Sequence, residues 1–155
     1  MNPLTCLSPE RTLLGASANS KKKIFETLSQ LIADTCPELT EQNVIDSFFA
    51  REKIGCTAIG NGIALPHGRA CGCDEILGAL MLLETPVDYD APDGQPVDII
   101  FALLVPEQAH KDHIMCLSSI AKLLKQPTVI NQIRNAYSNQ ALYDIVESAT
   151  QKLDS

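Results

Sequence analysis

The chain has no surplus of basic residues. Among 155 residues, 12 are Lys or Arg and 19 are Asp or Glu, a formal net charge of -7. Broad nucleic-acid binding needs a basic face to displace condensed counterions, so the balance argues against that class, though it leaves room for one small basic pocket. No apolar run approaches the length of a membrane-spanning helix, so membrane insertion is not expected. The opening residues, MNPLTCLSPERTLLG, lack a basic segment followed by a long apolar one, as an export signal would have. The expected location is therefore the cytoplasm. Internal repeats and low-complexity linkers are also missing. Gly60-Asn61-Gly62 lacks the third glycine of a dinucleotide loop, and no Gly-Lys-Ser/Thr follows it, which argues against nucleotide binding.

What is present suits one folded domain. Apolar residues make up 45% of the chain and charged residues 20%, values ordinary for a packed core. Residues 1–19 have mixed polarity and read as a partly irregular arm with a short strand around 12–14. The body of the domain spans 20–150, and 151–155 form a tail. Ser20 is placed as an N-cap for a helix presenting Ile24, Leu28, Leu31 and Ile32, which must stop before Pro37. Thr40 caps a second helix with the apolar stripe Val44, Ile45, Phe48 and Phe49, ending near Lys53. Short strands are expected at 56–59 and 63–65, separated by the glycine turn and ended by Pro66-His67-Gly68. Residues 78–84 form a strand and 88–95 a loop. Residues 97–105 are nearly all apolar, as befits a central strand covered on both faces and closed by Pro106. A helix with Ile114, Leu117, Ala121 and Leu124 on its buried side follows. Pro127 starts another helix, carrying Val129, Ile130 and Ile133. Asn139 is the expected cap of the last, which buries Leu142, Ile145 and Val146. Helices, then strands, then helices imply an α/β single domain, one sheet with helices on both faces.

The chain has three histidines, and two occupy telling places. His67 follows Pro66, which stiffens the approach, and precedes Gly68, which leaves space beside the ring. His113 lies in or near the first turn of the helix after the central strand, where open α/β sheets usually bind ligands and helix N–H groups suit phosphate. Arg51, in the last turn of the second helix, can reach the same crevice and hold two phosphate oxygens in its planar fork. These three suit phosphoryl transfer through an imidazole, without a metal or cofactor. Taken singly, each also has a structural reading: a turn histidine, a helix edge, a solvated helix-end charge.

Residues 51–68, REKIGCTAIGNGIALPHG, resemble the active-histidine signature of the fructose/mannitol-type enzyme IIA family of the phosphotransferase system, most of all its nitrogen-regulatory branch. Residues 84–90 (ETPVDYD), 95–106 (QPVDIIFALLVP), His113 and 117–122 (LSSIAK) extend the resemblance, which covers 20–147. It implies a three-layer αβα sandwich around a mixed sheet. His67 would be the phosphorylated residue, with His113 and Arg51 as its neighbours. A phosphorylated HPr-like carrier would be the donor, and regulated partners such as potassium-transport or sensor proteins the output. Arg69 stands where relatives often have lysine. The loop Ala70-Cys71-Gly72-Cys73 is shorter and richer in cysteine than usual.

Three other readings compete. One is a sugar-specific enzyme IIA that passes phosphate to a IIB domain. Another is a regulatory binding module without chemistry. The third is a metal site from His67, Cys71 and Cys73, whose H-x3-C-x-C spacing departs from structural zinc sites and lacks a fourth ligand. The six cysteines, in a chain large enough for a core and without an export-like start, are expected as reduced thiols.

Overall fold

The computed structural model describes residues 6–108 and 111–153, with side chains described for 6–108 and 114–152. A short 3-10 turn at Pro9–Arg11 leads into β1 (Thr12–Ala16), then α1 (Lys21–Ala33) and α2 (Glu41–Glu52). Strands β2 (Ala58–Gly60), β3 (Ile63–Ala64), β4 (His67–Ala70), β5 (Leu77–Val87) and β6 (Val97–Pro106) follow. The described chain finishes with α3 (Lys111–Leu123), α4 (Pro127–Arg134) and α5 (Asn139–Leu153).

The six strands form one mixed sheet, ordered β1-β5-β6-β3-β2, with β4 also paired to β6. The long β5 and β6 run antiparallel at its centre; β1 pairs parallel to β5, β3 and β4 parallel to β6, and β2 antiparallel to β3. The alternation of side chains along the strands feeds two cores. Met81, Ile100 and Ala102 join α1 and α2 residues such as Phe25, Leu28 and Phe48 on one face. Leu80, Ile99 and Phe101 join α3, α4 and α5 residues such as Ile120, Ile133 and Val146 on the other. The molecule is the expected αβα sandwich.

The two predicted N-caps are in place. Ser20 Oγ accepts from Lys23 N at 3.1 Å, and Thr40 Oγ1 from Asn43 N at 3.1 Å. Pro127 opens α4 as its first residue. Asn139 is not the cap of α5: Ser138 Oγ accepts from Ala141 N at 3.0 Å. Asn139 Oδ1 instead accepts from Leu14 N at 2.8 Å and so fastens the last helix to β1. Ile114 is not on the buried side of α3 either. It is 59% exposed, while Cys116, Ile120, Leu123 and Leu124 are buried. That i, i+4, i+7, i+8 set is the stripe facing the sheet.

Pro66-His67-Gly68 does not end strand pairing, as the turn reading implied; β4 starts at His67. The reason is the length of β6, whose ten residues outrun the two of β3. Ile63 and Ala64 pair with Ile99 and Ile100, and His67 to Ala70 continue along the same edge beside Leu103 to Pro106. Pro66 has no N–H to give, and marks the break between the two. Its carbonyl still accepts from Leu103 N at 2.9 Å.

Burial also sets an alkaline limit to stability. It pushes the Cys73 thiol up to about 11 from its ordinary 9.0, and raises the Tyr89 phenol as well. Above about pH 9 the unfolded chain releases the Cys73 proton while the folded chain keeps it, so unfolding is favoured. This share of stability is intact below pH 9 and falls away as pH rises towards 11. Melting temperatures at pH 8 and 10.5 should show the drop, and Cys73→Ala should make it shallower.

Candidate functional site

The site forms where α2 crosses the start of β4. Phe48 and Val44 bury the inner side of α2, which leaves Ser47 and Arg51, one turn apart, at its β4 edge. The two elements touch backbone to side chain: Ser47 Oγ donates to Arg69 O at 2.8 Å. Gly68 makes the contact possible. A Cβ there would stand 2.7 Å from Ser47 O and 2.8 Å from its carbonyl carbon. The glycine therefore makes room for a helix, and the space beside the imidazole expected from the sequence is taken by backbone.

This close approach brings Arg51 to His67. Arg51 Nε donates to His67 Nε2 at 3.2 Å, and Arg51 Nη1 donates to Gly55 O at 2.8 Å. On the other side of the ring, His67 Nδ1 lies 2.8 Å from Leu65 O. A carbonyl oxygen carries no proton, so Nδ1 must be the donor. Nε2 accepts from an arginine that can only donate, so it holds the lone pair. The two contacts together define the neutral Nδ1–H tautomer. Its nucleophilic nitrogen is Nε2.

His67 and Arg51 line a pocket of about 380 Å³ together with Ser47, Ile54, Arg69 and Val105. Val105 lies near the carboxyl end of β6, where a ligand crevice was expected. Arg69 shares the face of β4 that presents His67, two residues on, and its Nη1 donates to Glu107 O at 3.0 Å. Ile54 stands at the rim, 82% exposed.

The structure thus joins two of the three residues singled out from sequence. His113 is the third residue of α3, and its side chain lies outside the described residues. His67, Cys71 and Cys73 are not drawn into a ligand set. Cys71 is exposed, whereas the buried Cys73 directs its thiol to Ala70 O at 3.6 Å. Among the described residues no three His, Cys, Asp or Glu side chains converge as metal ligands. No described helix is long and apolar enough to cross a membrane.

Several functional contacts had no signal in the sequence. Leu65 contributes through its backbone N–H and carbonyl, which any residue but proline could offer, and Thr57 looks like an ordinary small polar residue. Glu52 stands next to Arg51 in an ordinary helix end. Its carboxylate is buried (side chain 7% exposed) by Lys21 and by Thr57.

An imidazole held by one nitrogen, with a guanidinium at the other and both side chains lining a pocket, defines a histidine-centred transfer or binding site on an αβα sandwich. Residues 5–149 match the family described as phosphoenolpyruvate-dependent sugar phosphotransferase system, EIIA 2, and the chain belongs to that enzyme IIA family. Within it, the chain is similar to the nitrogen regulatory protein of Pseudomonas aeruginosa, with 44% identity over 140 residues, 90% of this chain and 91% of that one. The crystal structure of nitrogen regulatory protein IIA-Ntr from Neisseria meningitidis superposes with a TM-score of 0.86 at 35% identity, covering 92% of this chain and 97% of that one. The mannitol IIA of Escherichia coli shares the fold, with a TM-score of 0.75 at 18% identity over 90% of this chain and 97% of that one.

Proposed function

We propose that the protein is a cytoplasmic phosphocarrier that accepts a phosphoryl group on Nε2 of His67 from a phosphorylated HPr-like protein. Its phosphorylation state would regulate partner proteins in nitrogen and potassium metabolism. The observation that carries this reading is the pair of contacts on His67. His67 Nδ1–H donates to Leu65 O, so the ring's lone pair lies on Nε2, where Arg51 Nε meets it.

The reaction needs no proton transfer at His67. The Nε2 lone pair attacks phosphorus in line, and the bond from phosphorus to the donor's nitrogen breaks with its electrons leaving to the donor. His67 keeps its proton on Nδ1, donated to Leu65 O, throughout. Arg51 Nε must let go of Nε2 as the N–P bond forms, and its N–H groups are then within reach of the phosphoryl oxygens. Preorganised cations of this kind lower the cost of charge at the transferring group. His113, at the start of α3, is proposed as a second donor to the same group. The exposed Ile54 at the rim fits an approaching protein surface better than a small polar substrate.

The test is intact mass after incubation with enzyme I, an HPr-like carrier and phosphoenolpyruvate. The expected result is an acid-labile gain of one phosphoryl group. No gain, with a carrier competent on another enzyme IIA, would favour a binding module. Rapid onward transfer to a sugar-specific IIB would favour the sugar branch over the regulatory one, a branch to which the nitrogen regulatory relatives give less support.

Arg51→Lys separates charge from geometry. Lysine keeps the cation but cannot donate to Nε2 while also reaching Gly55 O. Phosphoryl acceptance should slow about tenfold to a hundredfold with the protein fully folded, as for a misplaced reacting group. Single-turnover quench kinetics would measure it, and a wild-type rate would remove Arg51 from the site.

A further inference from the structure

Behind the pocket, Glu52 connects the two segments that hold His67. Its Oε1 accepts from Lys21 Nζ at 3.0 Å and from Thr57 N at 3.2 Å, and its Oε2 accepts from Thr57 Oγ1 at 2.7 Å. Because the Thr57 hydroxyl proton goes to Glu52, the buried Tyr89 hydroxyl is the donor in its 2.9 Å contact with Thr57 Oγ1. Lys21 Nζ also lies 4.4 Å from the Tyr89 ring centroid, a favourable place for a cation. No acidic residue stands in the first turn of α1, and while Lys23 pairs with Glu26 of its own helix, Lys21 takes its counter-charge from Glu52 of α2.

From Thr57 the connection runs on through backbone. Leu65 N donates to Thr57 O at 2.9 Å, and Leu65 O accepts from His67 Nδ1 at 2.8 Å. On the opposite side, Glu52 is the residue after Arg51, whose guanidinium meets His67 Nε2. One buried carboxylate thus ties the end of α2, which serves one nitrogen of the ring, to the Thr57–Leu65 contact, which serves the other.

We propose that Glu52 is a positioning residue for the phosphoryl acceptor: by clamping the end of α2 to Thr57, it sets the tautomer of His67 and the Arg51 contact together. It touches neither the phosphoryl group nor the ring. The proposal rests on His67 being the acceptor, so its test has a readout that needs no phosphate. A side chain whose acceptor oxygens hold both Thr57 and Lys21 fixes the end of α2, and such supporting contacts keep reacting groups within their productive geometry.

The experiment compares wild type, Glu52→Ala, Glu52→Gln and Thr57→Val by 15N NMR of the histidine ring and by single-turnover phosphorylation. Arg134→Gln, which removes the ion pair to Asp98 at the far end of β6, controls for general loss of stability. Wild type should show His67 as the Nδ1–H tautomer. Glu52→Ala should mix in the Nε2–H form and slow maximal phosphorylation about tenfold to a hundredfold, with the donor concentration at half-maximal rate unchanged. Glu52→Gln, whose amide oxygen still accepts from Thr57, should restore most of both. Thr57→Val should shift the tautomer in the same direction, and it carries the test if Glu52→Ala does not fold. Arg134→Gln should lower the melting temperature and move neither readout. Folded Glu52 and Thr57 variants with the wild-type tautomer and rate would overturn the proposal. Failure of wild type itself to take phosphate would instead overturn the reading of His67 as acceptor.

Discussion

His67→Ala should take up no phosphoryl group under conditions in which wild type is fully converted, and it should do so as a folded protein. The nucleophile is a single lone pair, on Nε2, and the variant has nothing at that point in the pocket. His110 and His113 remain in the chain, so the variant also asks whether another imidazole can substitute. The expectation is that neither does, because the acceptor is placed at His67 Nε2, with a carbonyl holding the other nitrogen and a guanidinium meeting this one. The cost to stability should be small. His67 is half-buried and lies at the first position of β4, with a backbone pairing that alanine preserves. Losing its side-chain hydrogen bonds should cost about 1 kcal/mol, or about 2–4 °C in melting temperature for a chain of this size. Intact mass and a melting curve on the same sample check both halves. An acid-labile phosphoryl group on folded His67→Ala would move the acceptor elsewhere and dissolve the assignment made to Nε2.

Local chemistry made some of this arrangement readable before any coordinates. Ser20 and Thr40 announce helices because a hydroxyl at that place satisfies an otherwise orphaned N–H, a rule that operates within four residues. The apolar run at 97–105 implies a strand covered on both faces, and β6 is one. His67 stands out because a histidine between proline and glycine is presented from a stiff turn, and Arg51, an ordinary helix-end cation by itself, because its planar fork can reach the same crevice. What escaped was non-local. β4 is a strand only because β6 extends beyond β3 and offers four further residues of unpaired edge, which nothing in Pro66-His67-Gly68 can announce. Asn139 has the composition of a cap, yet its amide serves Leu14, 125 positions earlier, while its neighbour Ser138 does the capping. Ile114 belongs to an apolar helix by composition but lies off the Cys116–Ile120–Leu123–Leu124 stripe. Glu52 carries no signal at all, since its role depends on Thr57, Lys21 and Tyr89 arriving from three other segments.

Gly68→Ala should impair the protein nearly as severely as loss of the histidine, through packing alone. The added methyl group would stand 2.7 Å from Ser47 O, 2.8 Å from Ser47 C and 2.9 Å from Ser47 Cβ. Two of these three atoms are backbone of α2, so no side-chain rotation relieves the overlap, and the helix must move away from β4. Overpacking of this kind typically costs about 1–3 kcal/mol. The functional loss should be larger, because the displaced turn of α2 also carries Arg51, whose contact with Nε2 is already 3.2 Å. A shift of about 1 Å at a reacting centre can cost about a hundredfold in rate. The same shift would break the bond from Ser47 Oγ to Arg69 O. Phosphoryl acceptance should therefore fall about a hundredfold at a temperature where the variant is still folded. Adding Ser47→Gly should recover little, since it removes the Cβ contact and leaves the carbonyl where it was. Single-turnover kinetics on Gly68→Ala, with and without Ser47→Gly, would measure both effects. A wild-type rate in the single variant would mean that α2 can withdraw without taking Arg51 with it, and that the tight α2–β4 contact supports the fold alone.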